Sequence, residues 1–180
     1  MIRNFKTEGI VIKRKNFGEA DRILTVFTKD QGKISVKASG VRKISSRRSA
    51  HIELLNHTRL SLYKGNGWPI LTEAQVIEDF STIKADFNKV GLSYHLCELV
   101  DGLCPENQEM FAVFQLLQKT LHRFSQEEEI APIIHEFEVE LLSVLGYWNS
   151  TEAFNWNTNA FIENIIERKL KSRNIFSKLQ

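Results

Sequence analysis

The chain has 180 residues, of which 42% are hydrophobic and 26% charged, which is ordinary for a soluble globular protein. It shows neither an apolar run of the roughly eighteen residues that a membrane span needs nor a signal peptide. The formal net charge of +2 conceals an asymmetry, because residues 1–70 hold fifteen Lys or Arg and five Asp or Glu, which leaves −8 for the rest. This separation predicts a polyanion-binding surface in the first part of the chain and another role for the second.

The first eighty residues have the alternation and turn signals of short β-strands. Residues 33–39 are the clearest case, with Ile34, Val36 and Ala38 on one face and Lys33 and Lys37 on the other. The predicted strands are residues 7–13, 21–28, 33–39, 51–63 with a break near 56, and 70–77. Five short strands favour a small barrel of the OB type over a sandwich, which usually needs about seven.

From about residue 80 the apolar residues recur at helical spacing. The predicted helices are residues 83–97, 110–124, 130–145 and 160–171. Ser125 is the predicted N-terminal cap of the third helix, and Gly146 is its predicted C-terminal cap. We therefore expect an α+β protein, with an OB-fold barrel in residues 1–80 and an all-helical domain in residues 81–180. Cys97 and Cys104 are expected to be buried thiols of a protein in a reducing cytoplasm.

The loop at residues 41–50 contains Arg42, Lys43, Arg47 and Arg48 with several serines and few residues that could pack. Such a segment is expected to lie in solvent, where its cations and hydroxyls can contact several phosphates. The alternative is an ordinary solvated basic loop.

Two further predicted loops combine cations with an aromatic ring. Residues 13–18 place three cations beside Phe17, and residues 64–68 place Lys64 near Trp68. In an OB barrel such loops flank the oligonucleotide groove, where aromatic rings stack on unpaired bases. Phe17 could equally be an aromatic at the edge of the core. The predicted nucleic-acid contacts are Lys13, Arg14, Lys15, Lys33, Lys37, Arg42, Lys43, Arg47, Arg48, Lys64 and Trp68.

Signals for catalysis or metal binding are weak. The five histidines lack a metal-ligand spacing, and His95 with Cys97 and Cys104 lacks a fourth zinc ligand. The sequence also lacks a phosphate-binding glycine loop and a nucleophile elbow. We therefore predict neither an enzyme nor a bound metal or cofactor.

Several motifs together resemble one known family. They are the GEAD turn at residues 18–21, T-x-x-x-G-K at 28–33, A-x-G-x-R-K at 38–43, L-x-L-Y-x-G at 60–65 and FEVELLSVLGY at 137–147. This set resembles the bacterial DNA repair and recombination mediator family RecO. The resemblance is most specific in the first eighty residues and extends in outline over the whole chain.

The resemblance implies a cytoplasmic, nucleoid-associated protein that binds single- and double-stranded DNA and anneals complementary strands. It also implies two partners, RecR and the tail of the single-stranded-DNA-binding protein SSB. Together with RecR, the family helps RecA to displace SSB from DNA. Many members carry a four-cysteine zinc module after the Gly-Tyr pair, but no cysteine follows Gly146 and Tyr147 here, so zinc is not expected. The basic candidates for the SSB contact are Arg168, Lys169, Lys171 and Arg173. Cations favoured at a helix C-terminus are the alternative explanation for those four residues.

Two other functions fit the same residues. An RNA-binding OB module would use the same loops, because nothing in them reads a 2′-hydroxyl. A protein-interaction scaffold would instead use the acidic helical part, with the basic barrel as an electrostatic anchor.

Overall fold

The computed structural model describes residues 3–149 and 157–172. The chain divides into two compact units. The first contains residues 1–79 and 105–114, and the second contains residues 80–104 and 115–180. Residues 105–114 thus group with the strands, whereas the predicted division at residue 80 assigns them to the helical domain.

The first unit is built on five strands. They are β1 (Asn4–Phe17), β2 (Asp21–Thr28), β3 (Gly32–Ala38), β4 (His57–Tyr63) and β5 (Ile70–Glu78). The order around the sheet is β1-β2-β3-β5-β4, and β4 also pairs with β1. All pairings are antiparallel except β3 with β5, which meet in parallel at Lys37 and Ile70. This arrangement confirms the predicted five-stranded barrel of the OB type.

Alternation along the strands places one face of each in the core. Ile34, Val36 and Ala38 of β3 are buried, as predicted, and pack in one cluster with Leu24 and Val26 of β2. The opposite face of β3 carries Lys33 and Lys37. The interior-facing aliphatic residues of β2 and β3 therefore form part of the barrel core, and Lys37 lies on the outer face.

Strand β1 is longer than predicted. It runs to Phe17, and its pairing with β2 shifts by one residue between Val11 and Lys13. Such a bulge lets a strand bend around a small barrel while the ladder continues. The predicted loop over residues 13–18 was therefore wrong, because only Gly18 to Ala20 connect β1 to β2.

The predicted strand over residues 51–63 begins later in the structure. A short 3-10 helix covers Ser49–Ile52, and β4 starts at His57. The Asn56 side-chain amide donates to the Ala50 carbonyl oxygen at 2.9 Å, while the Asn56 carbonyl accepts from the Val11 N–H at 3.0 Å. One of these bonds is local and the other is to β1, and together they hold Asn56 in place before β4 begins.

The remaining elements are helical, in agreement with the predicted class. They are α1 (Ser81–Lys84), α2 (Phe87–Leu103), α3 (Phe111–Gln126), α4 (Ala131–Val144) and α5 (Thr158–Ile165). Within the described part of the chain, no helix is long and apolar enough to cross a membrane. Cys97 and Cys104 are buried as predicted, and burial raises the pKa of the Cys97 thiol to about 12.

The helix ends agree with the sequence in part. Gly146 has a φ of +80°, and the N–H groups of Gly146 and Tyr147 donate to the carbonyls of Ser143 and Leu142, so the predicted glycine cap of α4 is confirmed. Ser125 was wrongly predicted as a cap. It lies inside α3 and its hydroxyl donates to the Leu121 carbonyl, which satisfies it without a helix end.

The last helix is shorter than predicted, because it ends at Ile165 rather than near residue 171. The backbone N–H of Leu170 donates to the Glu163 carboxylate, and those of Lys171 and Ser172 donate to Glu98. Carboxylates of α5 itself and of α2 thus replace the helical carbonyls as acceptors. The buried His95 ring also joins Ser172 to Glu138 of α4, at 2.7 and 2.8 Å. This polar network fixes the segment after α5 within the helical unit.

Candidate nucleic-acid interface

The strand register brings three predicted cations to one outer face of the barrel. Lys15 of β1 pairs with Ile23 of β2, which in turn pairs with Lys37 of β3. Directly paired residues point to the same side of an antiparallel sheet, and Lys13 shares that side with Lys15 because it lies two residues away. Lys13 and Lys15 are exposed and Lys37 is half-buried. The three amines therefore belong to one surface across β1, β2 and β3.

Arg14 points to the opposite side of β1. Its partner across the sheet is Leu24, a core residue, and its Nη1 lies 2.5 Å from Glu53 Oε2. Arg22 approaches the other oxygen of the same carboxylate at 3.6 Å. The structure thus places Arg14 in an ion pair with Glu53 and does not bring it to the face that carries Lys13 and Lys15.

The end of β1 meets the hairpin between β4 and β5. The rings of Phe17 and Trp68 are 6.0 Å apart between centroids and almost perpendicular, at 86°. The side chains are 44% and 50% exposed, so Phe17 is not a core residue. Lys37 Nζ lies 5.5 Å from the centre of the Phe17 ring, within the range of a cation–π contact. Two exposed aromatic rings and a cation therefore share one place on the surface.

Lys37 also connects this aromatic pair to the basic loop. Its Nζ lies 3.2 Å from Asp21 Oδ2, and Asp21 Oδ1 accepts a 2.8 Å hydrogen bond from the Gly40 N–H. That backbone bond, and then the Lys37 ammonium, lower the pKa of the Asp21 carboxyl. Asp21 therefore stays ionised and joins the start of β2 to the residues that follow β3. The contacts run without a break from Trp68 to Gly40.

The four cations of the basic loop have two different roles. Arg42 donates through Nη1 to the carbonyls of Gly18 and Glu19, at 3.3 and 3.1 Å. Arg48 donates to the carbonyls of Leu71 and Ser39, at 2.6 and 2.8 Å. These bonds hold the loop against the barrel.

The other two cations of the loop face solvent. Lys43 and Arg47 are exposed and line a concavity of about 810 Å³, to which Arg48 and Ser46 also contribute. The loop therefore presents these two charges on a frame that its two other arginines maintain.

Two predicted contacts lie apart from this series. Lys33 is only 7% exposed, since the segment after α2 covers the start of β3, where Asn107 N–H donates to the Lys33 carbonyl at 2.8 Å. Lys64 is exposed in the β4–β5 hairpin, and its backbone N–H donates to the Arg3 carbonyl. The structure thus places Lys33 in a covered position and Lys64 in the same hairpin as Trp68.

The basic residues predicted for the helical part already contact carboxylates in two cases. Arg168 Nη1 lies 2.7 Å from Glu98 Oε1, and Lys169 Nζ lies 2.9 Å from Glu163 Oε2. Lys171 is exposed, while Arg173 lies outside the described residues. In residues 3–149 and 157–172, no group of three or more His, Cys, Asp or Glu side chains could hold a metal ion.

The sequence indicated Phe17 as a candidate stacking ring but did not identify Asp21 as part of this surface. Both contacts of Asp21 are to β3 and the residues that follow it, so they depend on strand pairing rather than on local sequence. The GEAD motif is the one signal that could have pointed to them, because Asp21 is its last residue.

Known proteins resemble the chain along most of its length. Two family models match, "Recombination protein O N terminal" over residues 1–80 and "Recombination protein O C terminal" over residues 84–152. A DNA repair protein RecO from Symbiobacterium thermophilum is 33% identical over 150 residues, which cover 83% of this chain and 59% of that protein.

Two further relatives carry the same name. The RecO of Roseiflexus sp. is 37% identical over 81% of the chain and 51% of its own length. The RecO of Acetivibrio thermocellus is 38% identical over 79% of the chain and 57% of its own length. The chain thus spans between half and three fifths of the curated relatives that it matches.

Proposed function

Because the chain belongs to the recombination protein O (RecO) family of DNA repair proteins, we propose that it acts as a recombination mediator. In this role it binds single- and double-stranded DNA, anneals complementary strands and helps to load RecA on SSB-coated DNA. The observation that carries the proposal is the series of contacts from Trp68 and Phe17 through Lys37 to Asp21 and Gly40. It joins an aromatic platform to a basic loop.

Binding in this proposal has two physical components. Cations on the outer face and in the basic loop neutralise phosphates, which gives affinity without sequence preference. Phe17 and Trp68 provide ring faces for unpaired bases, and every base can stack on such a face. A single strand uses both components, whereas a duplex uses the first alone. The proposed contacts are Lys13, Lys15, Phe17, Lys37, Lys43, Arg47, Lys64 and Trp68.

Annealing follows from the same surface. Two single strands repel each other through their phosphates, and a basic surface that binds one strand lowers the repulsion felt by the second. Because phosphates carry most of this binding, the hydrogen-bonding edges of most bases in the bound strand stay free to pair. The protein is proposed to act in the cytoplasm, in association with the nucleoid.

The partners are proposals on the same basis. RecR and the C-terminal tail of SSB are the partners that the family membership suggests, and the basic residues after α5 are candidates for the tail. Arg168 and Lys169 are paired with Glu98 and Glu163, so an incoming carboxylate must compete with these ion pairs. Lys171, which is exposed, does not show such a side-chain pair among the described residues and is the better candidate.

The test measures, by fluorescence, the rate at which complementary oligonucleotides coated with SSB anneal. The proposal predicts faster annealing with the full chain than without it, and slower annealing by the Trp68→Ala variant. No acceleration on naked or coated strands would overturn it. Competition with a matched RNA strand separates the RNA-binding alternative, which predicts RNA binding at least as tight as DNA binding.

A further inference from the structure

The barrel unit contains a cavity of about 570 Å³ that is separate from the concavity of the basic loop. Trp68 and Pro69 of the β4–β5 hairpin line it, as do Glu106 and Asn107 of the segment after α2. All of these residues belong to the first unit. The volume lies within the range of sites for small molecules and exceeds what a single nucleobase fills.

One wall of the cavity is fixed to the barrel. Asn107 N–H donates to the Lys33 carbonyl at 2.8 Å, and Lys33 forms a parallel bridge with Glu106. At Gly32 the approach is so close that an added Cβ would lie 1.7 Å from the Gln108 carbonyl oxygen. The side chains of Glu106 and Asn107 are therefore presented from a backbone that is held in position.

The lining has three kinds of groups. Trp68 and Phe5 are aromatic, Gln31, Glu106 and Asn107 offer hydrogen-bonding groups, and Lys6 and Lys64 add two exposed amines. A nucleotide matches these three kinds of groups, because its base is a flat ring with polar atoms on its edge and its sugar carries phosphates. Trp68 also touches Phe17, so the cavity adjoins the aromatic platform.

We propose, on the premise that the chain binds DNA, that this cavity holds one unstacked base of the bound single strand. Trp68 stacks on the base, Glu106 and Asn107 contact its edge, and Lys64 contacts a neighbouring phosphate. An acidic peptide is a poorer occupant, because it would place carboxylates beside those of Asp30 and Glu106, whereas a base is uncharged and its phosphate lies at Lys64.

The carboxylate of Glu106 gives the site a preference among bases. A carboxylate accepts hydrogen bonds and donates none, and cytosine presents an amino donor where thymine presents a carbonyl acceptor. Both are single-ring bases, so stacking on Trp68 is similar for the two. The site therefore favours cytosine over thymine.

The experiment compares binding of the full chain to a cytosine and a thymine homopolymer of about twenty nucleotides, by fluorescence anisotropy at one salt concentration. We expect cytosine to bind about tenfold more tightly. Glu106→Gln should bring the ratio close to one. Glu109→Gln removes the same charge from an exposed residue of the same segment that does not line the cavity, and should leave the ratio unchanged.

The outcomes separate this site from the proposed function. Tight binding of both homopolymers with a ratio near one in the unmodified chain overturns the base site and leaves DNA binding intact. A ratio that responds equally to Glu106→Gln and Glu109→Gln also overturns it, because the effect is then one of charge alone. Absence of binding to either homopolymer overturns both proposals, and binding of an acidic peptide in its place identifies a peptide site.

Discussion

Phe17 and Trp68 meet edge to face with their ring centroids 6.0 Å apart, although β2, β3 and β4 separate them in sequence. One ring ends β1 and the other belongs to the hairpin before β5. Lys37, from the strand that pairs with both β2 and β5, lies over the Phe17 ring and reaches Asp21. The OB topology therefore brings together rings and charges that are far apart in sequence.

Removal of the Trp68 ring should weaken binding to single strands more than binding to duplexes. Trp68→Ala is expected to cost about 1–3 kcal/mol of single-strand affinity, because a stacked base loses its platform, and much less for a duplex whose bases are already stacked. Anisotropy titrations with both forms measure this. The control is Phe87→Ala, which removes an exposed aromatic ring from the helical unit. Equal losses for both forms of DNA would contradict the stacking role.

Arg47 and Arg48 are neighbours with different expected effects. Arg48→Ala removes the bonds to the Leu71 and Ser39 carbonyls and should lower the free energy of unfolding by about 1–2 kcal/mol. Arg47→Ala should leave stability within about 0.5 kcal/mol, since the side chain is exposed, and should weaken DNA binding. Urea unfolding of the two variants checks the difference. Equal stability of the two would show that Arg48 does not hold the loop.

A methyl group at Gly32 should be far more harmful than one at Gly18. Both glycines have positive φ, +65° and +57°, but a Cβ at Gly32 would collide with Gln108, whereas a Cβ at Gly18 meets nothing within 4 Å. Gly18→Ala should cost about 1 kcal/mol of stability and Gly32→Ala more than about 2 kcal/mol. Thermal unfolding measures both. Similar costs would mean that the segment 106–108 is not held against β3.

In the helical unit, the contribution of the Glu98 carboxylate to the free energy of unfolding should depend on pH. Burial raises the pKa of Glu98, but hydrogen bonds from Arg168, Lys171 N–H and the Ser172 backbone and hydroxyl outweigh it and lower the pKa from 4.5 to about 2. A lowered pKa means that the unfolded chain takes up the proton first as the pH falls. The stabilisation is therefore complete above about pH 4.5 and is lost toward pH 2.

Glu98→Gln should accordingly lower the free energy of unfolding by about 1 kcal/mol near neutral pH, a value that allows for solvent screening. The difference from the unmodified chain should shrink as the pH falls below about 4.5. Urea unfolding at a series of pH values measures it. A difference that stays constant over that range would mean that the loss comes from packing rather than from the charge.

The sequence predicted the parts of the fold that depend on local periodicity and caps. Alternation from Ile34 to Ala38 identified the core face of β3, and the glycine at 146 marked the end of α4, because both signals act within one element. The extension of β1 to Phe17 was missed, since the bulge near Lys13 depends on pairing with β2. Ser125 was misplaced because serine can bond to a carbonyl inside a helix as well as cap one.

The site could be predicted only as a set of residue types. Exposed cations and aromatic residues in turns are visible in the sequence, and Lys43, Arg47 and Trp68 are exposed in the structure. What the sequence lacks is the partner of each charge. Arg14 pairs with Glu53, and Lys33 is covered by a segment that follows in sequence only after α2. These relations depend on tertiary contacts between residues that no local pattern connects.

The claim that the basic loop binds phosphates can be checked through the salt dependence of single-strand binding. Lys43→Ala with Arg47→Ala removes two exposed charges of the loop and leaves Arg42 and Arg48 to hold it. The slope of log affinity against log salt should become shallower by about 1.4, or roughly 0.7 for each phosphate that is no longer neutralised. Arg59→Ala with Lys119→Ala removes the same charge from exposed positions elsewhere and should leave the slope unchanged. An unchanged slope for the loop variant, or the same change in both variants, would contradict the claim.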